Sequence, residues 1–545
     1  MRITVMVFTI HRYIFRELLR VFVLAAVALS LTVIPCMLVG PIQKFGVGPK
    51  QVVHLLGYFI PIILTFVLPM AALFAAALTY GRFAYENELD ACRASGISLL
   101  TLIYPGLCLA IIVAIVTLVL SFHVVPAFVH RAEKAIQGNV KQILFRNIQR
   151  KGYYTLPDGE FRIYADQAEP TEDILGGVVV IESKGADITK LITAQAAKIV
   201  FADIGKLYNK VTVVARQAYQ VDDEGRQAYF QRLPVSGRFE SLLADSIKFQ
   251  KIDQIKQIKA DMLSFNPIRK LALKIRAQLG AELLAEQIAE TIAGQGTGYY
   301  QLDAADRIIR LSAGRCVPKS PDLSRKGVDK PPTVELTHTV RLSEYDRIYQ
   351  NLICHWESER GILKLQDNQV SSPLEIVLYS PSWRHSDGLN GLAQQHVIKN
   401  VAVPDDIEEK LSSNNLLPRL LDIRSIFPAA STGLVELSDN LKKEIKSTTN
   451  EISAEIHSRL VLGLGCTTLV LIAIALGIIF KGGHLLSAFG TSAIPAAVLV
   501  VFILAGKDLT KNPAVPAATG IMVMWSGLVI LSAVAIVVYH RLLKT

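Results

Sequence analysis

Apolar residues gather into six long runs, three near each end of the chain. The runs are Val21 to Gly40, Val52 to Tyr80, Leu99 to Val125, Leu460 to Phe480, Leu485 to Gly506 and Val515 to Tyr539. Each is nearly free of charge and reaches the roughly 20 residues that a helix needs to cross about 30 Å of hydrocarbon. Because lipid offers no partner to backbone amides, runs of this length form helices. The pattern predicts an α-helical membrane protein with six transmembrane helices in a 3+3 arrangement.

The region from about Pro126 to Glu455 has a different pattern, in which short alternating stretches are separated by turn residues. Leu207 to Val221, for example, alternates up to an acidic turn. Alternation with a period of two is typical of half-buried antiparallel strands. Asn266-Pro267 then introduces a stretch with helical spacing. We therefore expect a large β-rich, jelly-roll-like region with helical insertions, with two β parts at about 126–260 and 295–400.

Lys and Arg residues in the short loops predict the orientation. With the N-terminus inside, nine of them fall on the cytoplasmic side and four on the opposite side. The nine are Arg2, Arg12, Arg16, Arg20, Arg82, Arg93, Lys481, Arg541 and Lys544, and the four are Lys44, Lys50, Lys507 and Lys511. Short basic loops are retained in the cytoplasm, whereas long domains cross regardless of charge. Both termini are thus predicted to be cytoplasmic, and the domains are 1–125, a periplasmic 126–455, and 456–545.

Composition and charge narrow the class further. The 545-residue chain is 51% hydrophobic and 19% charged, which is too apolar for an average soluble protein. Its net charge of +10 fits basic residues that flank membrane helices at anionic lipid, so it does not indicate a nucleic-acid partner. Among six cysteines, Cys316 and Cys354 share the exported region. An oxidising compartment there would let these two form a disulfide.

Signatures of catalysis are absent from the sequence. It contains no G-x-x-x-x-G-K-[ST] phosphate loop, no H-E-x-x-H and no G-x-S-x-G. The histidines His338, His355, His385 and His396 lack the spacing of metal ligands. We therefore expect no enzyme activity, no cofactor and no metal site. If the function needs ATP, another chain must bind it.

The cytoplasmic segment Gly81 to Ser98 is the most informative loop. Its charges cluster around apolar Leu89, which suits a short helix lying across the membrane face. Gly96 is placed to end that helix, and Ser98 to cap the next one. At 3.6 residues per turn, Glu86 and Glu88 would lie about 200° apart around it. From composition alone, a polar connector without a partner is the alternative.

Four motifs, in order along the chain, resemble the lipopolysaccharide-export permeases of the LptF/LptG type. They are Ile42-Gln43-Lys44-Phe45, Asn87-Glu88-Leu89 with Arg93-Ala94-Ser95-Gly96-Ile97-Ser98, Glu455-Ile456-His457-Ser458-Arg459-Leu460, and Gly506-Lys507-Asp508-Leu509 followed by Pro516 and Trp525. The resemblance covers both membrane parts and the start of the β-rich region, in the family's order of three spans, a periplasmic jelly roll and three spans. The exported region of roughly 330 residues is about twice what the family pattern suggests.

The resemblance implies a mechanism and a set of site residues. Gly81 to Ser98 would be the coupling helix, where Glu88 docks on a cytoplasmic ABC ATPase dimer with Leu89, Arg93 and Gly96 in support. The chain would pair with a second permease subunit of the same type. Lipopolysaccharide or a related anionic lipid would pass from the outer leaflet of the inner membrane to a periplasmic jelly-roll bridge protein.

Three lysines near the predicted outer ends of the spans are candidates for binding a lipid phosphate. They are Lys44, at the end of the first span, and Lys507 and Lys511, at the end of the fifth. A cation at the membrane rim is costly unless it meets an anion, although an interfacial lysine can also extend its ammonium group to water. Two other functions stay open: a membrane-anchored adaptor that moves no lipid, and a membrane-bound enzyme.

Overall fold

The computed structural model describes most of the chain. The described residues are 2–45, 49–138, 140–156, 161–184, 187–204, 208–222, 227–239, 246–293, 298–304, 306–319, 332–348, 350–365, 374–412, 416–480, 485–512 and 514–544. Side chains are not described for all of them, and 36–45 and 49–56 are described by backbone alone.

Helices form both ends of the chain and several connections between strands. They are α1 (Arg2–Phe45), α2 (Pro49–Tyr85), α3 (Glu88–Ala94), α4 (Leu99–Val119), α5 (Val125–Gly138), α6 (Val140–Lys151), α7 (Ile252–Ala260), α8 (Asn266–Ala293), α9 (Asp405–Ser412), α10 (Leu416–Leu421), α11 (Ile423–Ile426), α12 (Thr432–Ile479), α13 (Leu485–Lys511) and α14 (Ala517–Lys544). A π-helical turn, Leu120–Val124, joins α4 to α5 without a break.

Six helical stretches in the described part of the chain are long and apolar enough to cross a membrane. They are Phe8–Pro35, Gly57–Tyr85, Leu99–Ala132, Thr432–Ile479, Ala493–Lys511 and Ala517–Lys544. The prediction of three spanning helices at each end is confirmed. Arg12, Arg16 and Arg20 recur every fourth residue before the first apolar run, which predicts an interfacial helix leading into the first span. In the structure that segment and the span form one helix, because α1 continues through both without interruption.

The spanning helices pack around one apolar core. Leu18, Leu73, Leu102, Val470 and Leu499 are buried in it, one from each of five helices. Because hydrocarbon solvates apolar side chains as well as protein does, close packing and internal hydrogen bonds select the helix pairs. One such bond runs from the Tyr80 hydroxyl, which donates to the Leu102 carbonyl oxygen at 2.9 Å.

Fifteen strands are described between the two helical groups. They are β1 (Tyr153–Thr155), β2 (Phe161–Glu169), β3 (Ile174–Lys184), β4 (Asp187–Ile204), β5 (Tyr208–Asp222), β6 (Gln227–Phe239), β7 (Tyr300–Asp303), β8 (Arg307–Ser312), β9 (Arg315–Lys319), β10 (Thr333–Asp346), β11 (Leu352–Leu365), β12 (Leu374–Tyr379), β13 (Ser382–His385), β14 (Asn390–Leu392) and β15 (Gln395–Val401). Their described pairings are antiparallel, which confirms the predicted β-rich region.

The strands form two sheets that belong to two compact units. The first unit contains the spanning helices and a six-stranded sheet in which β1 to β6 pair in chain order. In the second unit, β7 to β15 form a nine-stranded sheet. A bridge between Ala304 and Val401 joins its ends, so that β7, β8, β10, β11, β12 and β15 close into a small barrel. Its interior is filled by buried Ile309, Leu342 and Ile376.

The register of the second sheet shows that the expected disulfide is not formed. Cys316 of β9 lies opposite Leu336 of β10, whereas Cys354 of β11 lies opposite Glu344. Those two β10 positions are eight residues apart, more than about 20 Å at roughly 3.3 Å per residue. A disulfide needs Cα atoms within about 7 Å. Both thiols are free, and the prediction that they pair is wrong for this structure.

Helix α12 runs without interruption from the second unit into the bundle. Its N-terminus is capped by Ser431, whose hydroxyl accepts from the Leu434 amide at 3.2 Å. The buried Glu282 carboxylate of α8 accepts from both the Ser431 amide, at 2.9 Å, and its hydroxyl, at 2.5 Å. An acidic side chain at this end also matches the positive end of the helix dipole. The start of α12 is therefore firmly held within the second unit.

Candidate functional site

The segment between α2 and α4 contains the short helix α3, separated from α2 by a sharp turn. Asn87 makes this turn with a left-handed backbone, φ 56°, a conformation that asparagine tolerates better than most residues. At the other end, Gly96 has φ 86°. The Ser98 hydroxyl then accepts from the Thr101 amide at 3.3 Å and caps α4. The two turns separate α3 from α2 and from α4.

Leu89 anchors α3 to the bundle. Its side chain is 4% exposed and belongs to the same core cluster as Tyr80, Phe83 and Leu99. Burying a leucine stabilises its element by about 1.5–3 kcal/mol. The rest of α3 is more open: Asp90 and Arg93 are exposed, and Glu88 is half-buried. Leu89 thus fixes α3 to the bundle, while the charged side chains of this helix lie at the surface.

Glu88 lies in an environment that opposes its ionisation. Burial raises the pKa of its carboxyl first, and the Glu86 carboxylate raises it further. Tyr13 of α1 is also hydrogen-bonded to Glu88. The expected separation of about 200° between the two glutamates is wrong, because Glu86 precedes the turn at Asn87 and lies outside α3. The two carboxylates instead interact.

Arg82 ties this segment to α1. Its guanidinium lies 2.9 Å from the Glu17 carboxylate and 3.9 Å from Glu86. Glu17 is only 14% exposed at its side chain. The partner of Arg82 is 65 residues away in sequence, so the loop's spacing gives no signal for this pair.

A buried charge cluster lies where α12 and α13 meet. It is at the N-terminal end of the apolar stretch of α12 and at the C-terminal end of the apolar stretch of α13. Glu455 of α12 contacts Arg459 at 3.1 Å and Lys507 of α13 at 2.5 Å. The Arg459 guanidinium also donates to the Lys248 carbonyl oxygen at 2.7 Å and stacks on Phe122, 5.3 Å from the ring centre. The three charged side chains are 8%, 5% and 19% exposed and carry one more positive than negative charge.

The two lysines of α13 that are candidates for lipid binding are paired with carboxylates in the structure. Lys507 and Lys511 were expected to stand at the rim as cations, but each has a protein carboxylate as partner, Lys511 contacting Glu451 at 2.8 Å. Glu451, Glu455 and Arg459 were not among the expected site residues. Glu455 and Arg459 lie four residues apart in the motif Glu455 to Leu460, and this i,i+4 spacing is the sequence signal that indicates their ion pair. Lys44 lies in the last turn of α1, and its side chain falls outside the described residues.

In the described part of the chain, no group of three or more His, Cys, Asp or Glu side chains is placed to hold a metal ion.

Two groups of three spanning helices, with an antiparallel β-rich region between the groups, define a multi-pass membrane protein. The family model described as lipopolysaccharide export system permease LptF/LptG matches residues 12–310 and 360–541. Because these ranges make up most of the chain, the protein belongs to this family. No curated protein matches the chain significantly.

Family membership fixes the general function. The chain is an inner-membrane, multi-pass transporter subunit with a role as a lipopolysaccharide export permease, and it works with partners in an Lpt complex. Residues 311–359 lie between the two matched ranges. They include β9, β10 and part of β11, so part of the second sheet is not covered by the family model.

Proposed function

We propose that this chain extracts lipopolysaccharide or a related anionic lipid from the outer leaflet of the inner membrane and passes it to a periplasmic jelly-roll bridge protein. It pairs with a second permease of the same type, and a cytoplasmic ABC ATPase dimer supplies the energy. Both termini face the cytoplasm, and the β-rich region faces the periplasm.

The geometry of α3 carries the proposal. A force from a separate ATPase reaches the spanning helices only through an element that is seated in them. Leu89 provides that seat, and the Arg82 to Glu17 ion pair joins the same region to α1. Arg93 and Tyr85 are exposed beside it, and Glu88 is half-buried. We infer that Glu88 meets a basic or hydrogen-bonding group of the ATPase.

The elevated pKa of Glu88 fits this role. A carboxylate beside Glu86 and partly removed from water is destabilised when it is charged. A cation from the ATPase would relieve that repulsion. The charged form of Glu88 would then be more stable in the docked complex than in the isolated permease. Removing one partner of a shielded charge pair at an interface costs about 2–5 kcal/mol.

The charge cluster of α12 and α13 supports an anionic substrate. Its excess positive charge is concentrated where both apolar stretches end, next to the outer leaflet in the proposed orientation. A lipid phosphate would compete with Glu455 for Lys507. Lys44 and Lys511 stay as further proposed contacts at the same membrane face.

The experiment compares Glu88→Ala with Asp90→Ala in the reconstituted complex. Asp90 is a matched control, because it is acidic, exposed and about 200° from Glu88 around α3. We expect Glu88→Ala to lower ATP-driven lipid release at least about tenfold and to weaken ATPase binding, with normal membrane insertion. Asp90→Ala should change both by less than about threefold. Equal tolerance of the two substitutions would favour a polar connector and an adaptor function.

A further inference from the structure

One row of side chains crosses six strands of the second sheet. The ladder pairs Gln301 with Arg310, Arg310 with Ser343, Ser343 with His355, His355 with Arg384 and Arg384 with Asn390. Residues paired directly across antiparallel strands lie about 4.5–5.5 Å apart and on the same face. The row therefore forms a continuous polar strip about 25 Å long.

This strip, which we call the polar row, lies on the outer face of the sheet. Its neighbours along the strands, Ile309, Leu342 and Glu344, are buried, and successive side chains point to opposite faces. The ends of the polar row, Gln301, Arg384 and Asn390, are exposed, and its centre is half-buried. It is a shallow, accessible surface.

Arg310, the second residue of the polar row, packs against two aromatic rings. Its guanidinium lies between two tyrosine rings, 4.7 Å from the centre of Tyr299 and 4.5 Å from that of Tyr345. Such cation–π contacts fix the plane of the guanidinium while its edge stays able to donate. Beside it, Ser343 Oγ and His355 Nδ1 are hydrogen-bonded at 2.8 Å. Several donors are therefore pre-positioned within a few ångströms of one another.

The charge of the polar row is one-sided. It contains two guanidinium groups and no carboxylate across six strands. The adjacent row on the same face differs, because Arg341 there contacts Glu357 across the strands at 3.1 Å. A solvated sheet face ordinarily contains cross-strand ion pairs such as the one between Arg341 and Glu357. An unbalanced pair of arginines with neutral donors between them is the pattern of a surface that receives an anion.

We propose that the polar row binds a phosphate-bearing saccharide, with Arg310 and Arg384 contacting phosphate groups and Gln301, Ser343, His355 and Asn390 contacting sugar hydroxyls. Flanking tyrosines offer flat faces against which a sugar ring packs. The proposal rests on the proposed function for the source of the ligand, namely the head group of the exported lipid. Two of the six residues, Ser343 and His355, lie in residues 311–359, outside the ranges that the family model matches.

Binding to the detergent-purified full chain tests the proposal by isothermal titration calorimetry. The probes are the deacylated, phosphorylated saccharide of lipopolysaccharide, the same saccharide after phosphatase treatment, and inorganic phosphate. We expect the phosphorylated saccharide to bind at least about tenfold more tightly than either of the others. Arg310→Gln with Arg384→Gln should weaken it about tenfold or more, because hydrogen bonds to charged groups are worth at least that factor.

Arg341→Gln is the matched control, since this arginine lies in the adjacent row and is paired within the sheet. It should change the affinity by less than about twofold. If the double variant loses its folded circular dichroism, Arg384→Gln alone decides, because Arg384 is exposed and its loss leaves no cavity.

Equal binding of the two saccharides, equal binding of inorganic phosphate, or an unchanged affinity in the arginine variants would overturn the proposal. The saccharide carries no acyl chain, so this assay does not depend on transport through the bundle. ATP-driven lipid release, measured in parallel, distinguishes failure of the polar row from failure of the proposed function. Loss of binding to intact lipopolysaccharide in nanodiscs by the same variants would identify the lipid head group as the source.

Discussion

At the scale of single residues, the second unit contains a buried carboxylate with three donors. Glu344 is 3% exposed at its side chain and contacts Arg307 at 2.5 Å and His396 at 2.9 Å. The Trp356 indole donates to it at 2.7 Å, and that ring stacks on His396. Burial alone would raise the pKa of Glu344, but the hydrogen bonds from His396 and Arg307 outweigh it, and the pKa is lowered. The carboxylate is therefore stabilised in its charged form.

The direction of this shift predicts how stability depends on pH. An acid whose pKa is lower in the folded state contributes stability above its unfolded value, about 4.3 for glutamate. That contribution is lost as the pH falls through the folded value. Glu344→Gln should destabilise the second unit by about 1.5–3 kcal/mol at neutral pH, because it removes the charge that strengthens the hydrogen bonds from Arg307 and His396 to this buried position. The difference from wild type should shrink in acid.

Tryptophan fluorescence during thermal unfolding measures this effect. The chain has three tryptophans, and replacing Trp525 by phenylalanine leaves Trp356 and Trp383, both in the second unit. Glu357→Gln is the control, because its exposed ion pair with Arg341 contributes about 1 kcal/mol or less. A melting temperature of Glu344→Gln equal to that of wild type at neutral pH would contradict the prediction.

Residue partners were the least predictable part of the structure. Glu344 and His396 are 52 residues apart, as are Glu455 and Lys507, and nothing in the local spacing of either pair indicates a contact. Only the register of the strands or the packing of the helices brings them together. By contrast, two local features of α3 could be predicted from the sequence: Leu89 as its apolar anchor and Gly96 as the residue that ends the helix.

At the scale of helices, one contact between α2 and α12 depends on glycine. A Cβ on Gly477 would lie 2.8 Å from the Ala77 carbonyl oxygen and 3.0 Å from the Gly81 amide nitrogen. Both are backbone atoms, which cannot rotate away. The two helices can approach this closely only because Gly477 has no side chain.

Gly477→Ala should therefore separate α2 from α12 and destabilise the bundle by about 1–3 kcal/mol. Gly57→Ala in α2 is the control, because a Cβ there meets nothing within 4 Å and alanine favours a helix by roughly 0.5–1 kcal/mol. Thermal unfolding of both variants in detergent checks the prediction. Equal melting temperatures would show that the bundle absorbs the methyl group without moving.

Elements were predictable where one strong constraint acts on a long stretch. Lipid demands about 20 apolar residues and internal hydrogen bonds, so the six spanning helices follow from the runs alone. Strand boundaries follow alternation less closely, because β10 and β11 bend and belong to different neighbours along their lengths. The continuity of α1 was also missed, since a basic stretch and an apolar stretch look like two elements.

At the scale of the whole molecule, the proposed orientation can be tested with a thiol reagent that does not cross membranes. In a variant with Cys316 replaced by serine, we expect Tyr229→Cys to be labelled in intact spheroplasts, because Tyr229 is 55% exposed in the proposed periplasmic region. Native Cys92 in α3 should react only after the membrane is opened. The reverse pattern would invert the orientation and place α3 on the wrong side for an ATPase.

In the large central region, the positions of the strands could be predicted from the sequence, but the closure of the second sheet could not. Its excess length indicated either an enlarged sheet or two, and the two β parts expected at about 126–260 and 295–400 contain the strands of β1 to β6 and β7 to β15. Closure of the second sheet by the contact of Ala304 with Val401 joins residues 97 positions apart. No turn or spacing could reveal it, because barrel closure depends on how far the whole sheet curls.

The unbroken course of α12 has a geometric consequence. Its 48 residues rise about 72 Å at 1.5 Å each, and backbone hydrogen bonds join residues four positions apart along the helix. A residue inserted into such a helix therefore rotates the side-chain directions of all the helical residues that follow it. The angular phase between the two ends is set by residue count, at about 100° per residue. Insertions of about seven or eleven residues restore this phase to within about 20°, and insertions of about 18 residues restore it fully, so these lengths keep the apolar face of α12 on one side of the helix.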